Sequence, residues 1–305
     1  MNGTPGTPGT PGDPGAPGDP GAPGQPGEHI APSTPTRLSP FDTLPGIELS
    51  ILGVRASTTT AGNLGVGARP VVTFSITKSD HTAWELSEMS SASIILSGPT
   101  SNYQLVIASP TDILTASVRN QDGSYSYELP MVPALYPPPL NDSGAFDADD
   151  GELQGTALRD GTYTVGLAVY RNYDVEGRVV REASSAVFDV LLGNASTLAP
   201  RQVVTAANCN QCHRQLEAHG GTRNDLRQCV LCHTAGAEDK NVPAAAGGTP
   251  GVTIDFGVLM HKLHSGVHLP SVVGMGTDAI GALSLIHISE PTRLRRISYA
   301  VFCLK

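Results

Sequence analysis

Thr162-Tyr163-Thr164-Val165-Gly166-Leu167-Ala168-Val169-Tyr170 sets its larger side chains on every second residue. A strand with one buried face requires that period, because successive side chains point to opposite sides of a sheet. Ala186–Leu192 reads the same way. Working outward, shorter runs bounded by Gly, Pro, Asn and Asp fall at Ile47–Val54, Val71–Ile76, Ala92–Leu96, Tyr103–Ile107 and Ser124–Leu129. Seven or eight short strands without helical periodicity predict a mainly β domain, a Greek-key sandwich or barrel, over residues 47–195.

What precedes and follows is different in kind. Residues 1–28 repeat Gly-X-Pro eight times from Gly3, a collagen-like period that allows polyproline-II chains to meet at an axis. The reading is a disordered or polyproline-II stalk acting as a stiff spacer, with a trimer through the stalk as the alternative. Residues 29–46 are a Pro/Ser/Thr linker. The run Asp147-Ala148-Asp149-Asp150-Gly151-Glu152 could hold Ca²⁺, or could be a solvated acidic loop. A net charge of −9 and the lack of a basic cluster in the body argue against nucleic acid as partner. No stretch reaches eighteen consecutive apolar residues, so no transmembrane helix is expected.

After Pro200 strand alternation stops, and Cys and His appear. Cys209-Asn210-Gln211-Cys212-His213 and Cys229-Val230-Leu231-Cys232-His233 both read C-x-x-C-H. That is the attachment signature of haem c: two thiols add to the vinyl groups of one porphyrin, and the adjacent His reaches the iron. With 9 His in 305 residues, chance would follow both pairs with His about once in a thousand times. The same thiols also read C-x2-C-x16-C-x2-C, the spacing of a zinc ribbon, which gives no reason for His213 and His233. Two disulfides are a third reading. Residues 200–282 have too few large apolar side chains for an ordinary core, and haem would supply the missing hydrophobic mass.

Spare imidazoles decide whether such irons are open or closed. His219 precedes Gly220-Gly221, whose backbone can approach a flat cofactor. His261 and His264 lie at i and i+3 in an expected short helix and project from one face. These three are the candidate distal ligands, with His268 a weaker one. Met260 and Met275 are the sulfur alternatives.

The order of parts resembles the multihaem surface cytochromes of metal-reducing bacteria, the OmcA/MtrC type, over about Ile47 to Ala282. The two haem motifs, His219-Gly220-Gly221, the string Val258 to Gly266 (VLMHKLHSG) and Leu269-Pro270-Ser271-Val272 carry that resemblance. It implies a β-barrel-like domain followed by a pentahaem module with bis-His irons, held at the outer surface. Electrons would pass to metal oxides, flavins, partner cytochromes or an outer-membrane porin–cytochrome complex. The resemblance therefore implies an exported electron-transfer protein rather than an enzyme with its own substrate chemistry. A reductase with an open haem, or a stalked binding protein with a zinc ribbon, are the rival functions. Only two haem motifs of the first module are present, and Met1-Asn2 runs into the repeat without a signal peptide. Leu283 to Lys305, basic and containing Cys303, resembles translated sequencing adapter, so His287 and Cys303 carry no functional reading. The expectation is a fragment truncated at both ends.

Overall fold

The computed structural model describes residues 37–58, 62–140, 145–213, 215–239 and 249–265. The stalk at 1–28, the first part of the linker, His268, Met275 and the tail at 283–305 lie outside the described residues. In chain order the elements are β1 (Arg37–Leu38), β2 (Glu48–Ala56), β3 (Pro70–Thr77), β4 (Ser91–Gly98), β5 (Gln104–Ile107), α1 (Ile113–Ala116), β6 (Val118–Arg119) and β7 (Tyr125–Glu128). There follow β8 (Gly161–Val175), β9 (Arg178–Leu192), α2 (Ala206–His213), α3 (Leu226–Cys232), β10 (Glu238–Asp239), β11 (Thr249–Thr253) and α4 (Phe256–Ser265).

All seven strands read from the sequence are present. They form two sheets, β2-β3-β7-β6 and β5-β4-β8-β9, with β1 pairing in parallel at the end of β8. The chain alternates between sheets hairpin by hairpin, so β7 returns beside β3 and β8 beside β4. Val72, Phe74 and Ile76 from one sheet meet Ile94, Leu96, Val165 and Leu167 from the other in a single core, which makes the domain a sandwich. The last two strands are not short. β8 and β9 run fifteen residues each, joined by Glu176-Gly177 with both residues at positive φ, as a two-residue hairpin turn demands.

Trp84 closes one end of the core. It is fully buried, and its Nε1 donates to the Gly46 carbonyl at 2.8 Å. The guanidinium of buried Arg171 lies 4.8 Å from the Trp84 ring centroid and 5.3 Å from that of Tyr173. Glu88 compensates this charge through a 3.4 Å ion pair and a carbonyl that accepts from Arg171 Nη1 at 2.9 Å.

The acidic run forms a short 3₁₀ turn over Ala148–Asp150. Asp147 Oδ1 accepts from Asp149 N at 2.8 Å, and Asp150 Oδ2 accepts from Asp147 N at 3.3 Å. Two carboxylates thus serve the turn's own backbone. Among the described residues no three His, Cys, Asp or Glu side chains gather as a metal-holding group.

Trp84→Phe should remove the bond to Gly46 and part of the cation–π contact. A loss of about 1–3 kcal/mol in equilibrium denaturation, with an unchanged far-ultraviolet spectrum, is the expected outcome. A stability equal to that of the parent would refute this account of the core.

Candidate haem-binding site

The sequence assigns β8 one buried face, and the structure covers both. Tyr163, Val165, Leu167 and Val169 point into the sandwich, yet Thr164 and Ala168 are buried as well. The second cover is α3, which carries Cys229 and Cys232. Leu231, fully buried, sits over Gly166, where a Cβ would come within 2.5 Å of Leu231 Cδ1. Gln228, also buried, donates to the carbonyls of Leu167 at 2.5 Å and Ala186 at 3.1 Å. Ser97 Oγ donates to the Leu231 carbonyl at 2.6 Å, and Arg227 Nη2 spans both oxygens of Asp189 at 2.8 and 2.7 Å. Asp225 caps the helix by accepting from Arg227 N at 2.9 Å.

The segment between the two expected domains is pinned too. Ala199 N donates to Thr162 Oγ1, and the Ala199 carbonyl accepts from Thr100 Oγ1, each at 2.7 Å. The described residues from 37 to 265 accordingly fall in one compact unit.

The structure brings four of the five candidate iron ligands together in two pairs. His219 and His233 have ring centroids 5.9 Å apart, and His213 and His264 have theirs 6.0 Å apart. Two imidazoles sharing one iron from opposite sides, at metal–nitrogen distances of about 2.0 Å, hold their centroids roughly 6 Å apart. Both separations match that spacing, with interplanar angles of 35° and 79°. Three rings are further oriented by backbone carbonyls. His233 Nδ1 bonds the Ile254 carbonyl at 2.8 Å, His261 Nδ1 that of Gly257 at 2.8 Å, and His264 Nδ1 that of Met260 at 2.7 Å. A carbonyl only accepts, so Nδ1 carries the proton in the neutral ring and Nε2 holds the lone pair. Desolvation first, then His233 and Arg223, hold the His219 imidazole below its ordinary pKa. The donor set fits two bis-His haems.

The two C-x-x-C-H strings differ in setting. α2 has no buried residue, and Cys212 and His213 are exposed. Burial pushes the Cys229 thiol up to about 11 and raises that of Cys232. A thiolate is disfavoured there, whereas a thioether carries no charge and loses nothing by burial. None of the four cysteines is in a disulfide. They do not converge on one point either, because no metal-holding group of three donors occurs among the described residues. Neither rival reading of the four sulfurs finds geometric support.

Residues 201–283 match the family described as outer membrane cytochrome MtrC/MtrF-like, domains II/IV. That segment is similar to an MtrC/MtrF-like cytochrome domain. A curated relative, the multiheme cytochrome MtrC of Shewanella baltica (strain OS185), is 35% identical over 74 residues, 24% of this chain and 10% of the relative. Among solved structures, the outer membrane decaheme cytochrome OmcA aligns at 17% identity and a TM-score of 0.46, over 74% of this chain and 34% of that one. MtrC from Shewanella baltica OS185 aligns at 18% and 0.44, over 72% and 32%. The chain thus spans about a third of the length of those structures and about a tenth of the curated relative.

The sequence names candidate ligands in this segment but not the seat beneath it. The signal was present: Gly166 and Ala168, two small residues within β8, lie on the face opposite Val165 and Leu167. Gly166→Ala should cost about 1–3 kcal/mol by overpacking against Leu231. Gly53→Ala, where a Cβ meets nothing within 4 Å, serves as control and should stay within about 0.5 kcal/mol of the parent. Denaturant midpoints of the two variants check this, and equal midpoints would contradict the packing described.

Proposed function

We propose that the chain carries the N-terminal part of a multihaem electron-transfer module, with haem c at Cys209 and Cys212 and a second at Cys229 and Cys232. His213 and His233 are assigned as proximal ligands, His264 and His219 as their distal partners. The observation that carries this reading is the pairing of those imidazoles at 6.0 and 5.9 Å. Bound there, haem c supplies a one-electron ferric–ferrous couple.

The chain's own residues do the rest. An imidazole opposite each proximal His leaves no position for a substrate at the iron, which favours electron passage over the open-haem reductase. The Ile254 and Met260 carbonyls fix the tautomers of His233 and His264, so neither ring needs to turn when the charge changes. His213 serves one centre and His219 the other, and six residues span at most about 20 Å, so the two centres are near neighbours. His261, on the same helix as His264, is proposed as a further candidate ligand.

The MtrC/MtrF-like likeness supports an exported protein at the outer surface, taking electrons from partner cytochromes or a porin–cytochrome complex. Metal oxides and flavins are the proposed acceptors. No helix among the described residues is long and apolar enough to cross a membrane.

The test is to export the full chain from a host with cytochrome c maturation machinery and record intact mass and visible absorption. A gain of two haems and a low-spin spectrum that ignores carbon monoxide when reduced are expected. His264→Ala and His219→Ala should each open one iron to carbon monoxide. An unmodified mass with bound zinc would overturn the reading.

A further inference from the structure

Beside His219 the backbone is held in a conformation that side chains rarely adopt. His219, Gly220 and Gly221 follow one another at φ values of 52°, 66° and 82°, and His219 is the residue of the three with a Cβ to accommodate. The turn is closed by Ala218 N donating to the Arg223 carbonyl at 2.8 Å and by Thr222 Oγ1 donating to that of His219 at 3.0 Å. A left-handed run of this kind persists where its surroundings over-determine it.

The surroundings come from the β-domain. Arg181 of β9 donates from Nη1 to the Gly220 carbonyl at 2.6 Å. Its Nε donates to Oδ1 of Asn172, its register partner on β8, at 3.0 Å. The guanidinium plane is backed by Tyr170, 4.7 Å from its ring centroid. Two contacts therefore fix Arg181 before it reaches the turn, and the carbonyl it grips belongs to the residue after His219. The fit is close: a Cβ on Gly220 would stand 3.0 Å from Arg181 Nη1. Arg223 adds a second tether, from Nη2 to Ser93 Oγ of β4 at 2.9 Å.

We propose that Arg181 is a positioning residue, through which the β-sandwich holds His219 as the sixth ligand of the haem at Cys229 and Cys232. The inference rests on the ligand assignment made above and goes beyond it. Both axial groups of that centre are referred to one sheet: His233 through α3 seated on Gly166, and His219 through the Arg181 clamp. The β-domain thereby sets the coordination of an iron to which it contributes no ligand.

The experiment compares the exported, haem-loaded full chain with Arg181→Ala, Asn172→Ala and His219→Ala. Carbon monoxide binding to the reduced protein and the high-spin signal of the oxidised protein are read, with intact mass confirming two haems. His219→Ala sets the scale and should open about half of the iron, one haem of two. Arg181→Ala should open a measurable part of that same half, with both thioether pairs intact. Asn172→Ala, which loosens the clamp without removing it, should open a smaller part, and it keeps the test available where the Ala variant fails to mature. A general packing role for Arg181 would lower stability without moving these ligand-field signals. Wild-type spectra from Arg181→Ala and Asn172→Ala, beside an open haem in His219→Ala, would overturn the inference alone. Wild-type spectra from His219→Ala would bring down the ligand assignment and the inference together.

Discussion

The approach of α3 to β8 is the contact on which the arrangement of the cytochrome segment depends. A helix of seven residues cannot hold itself in water, and this one bears both sulfurs of an expected attachment site. It is stable here because Gly166 lets Leu231 reach the sheet, and because Gln228 satisfies two carbonyls in the space where water is excluded. The Arg227–Asp189 pair, in which Nη2 reaches both carboxylate oxygens, fixes the rotation of the helix on that seat. With rotation fixed, His233 at the helix end has one direction in which to point.

The second motif is therefore built into the β-domain, and the first is attached to it only through its partners. α2 buries nothing, and His213 meets His264 from a helix that is itself largely exposed on that side. The two imidazole pairs offer the same donor chemistry on unequal supports. Hydrogen bonds from Nδ1 to backbone carbonyls orient the rings in α4 as well as beside α3, so ligand basicity is tuned alike while mechanical support is not.

How much of this was legible follows from what each signal encodes. Strand existence was legible because Tyr163, Val165, Leu167 and Val169 repeat at period two. The two C-x-x-C-H strings were legible because the attachment chemistry expected of them demands contiguous residues. The docking of α3 was not, since it joins Gly166 to Leu231 across sixty-five positions and a lone glycine in a strand has many meanings. The pairing of His219 with His233, and of His264 with His213, was equally hidden. A sequence can list imidazoles, but which two face each other depends on a clamp from β9 and on the path between α3 and α4.

The half-buried position of Cys229 and Cys232 has a consequence for biosynthesis. In an exported chain the N-terminal part crosses first, so the sandwich and its seat for α3 can form before the helix emerges. An enzyme joining a cofactor to those sulfurs needs them extended and accessible, and docking withdraws them. Ligation at those sulfurs would thus compete with docking for the same short peptide, and the free energy that seats the helix would set a time limit on maturation.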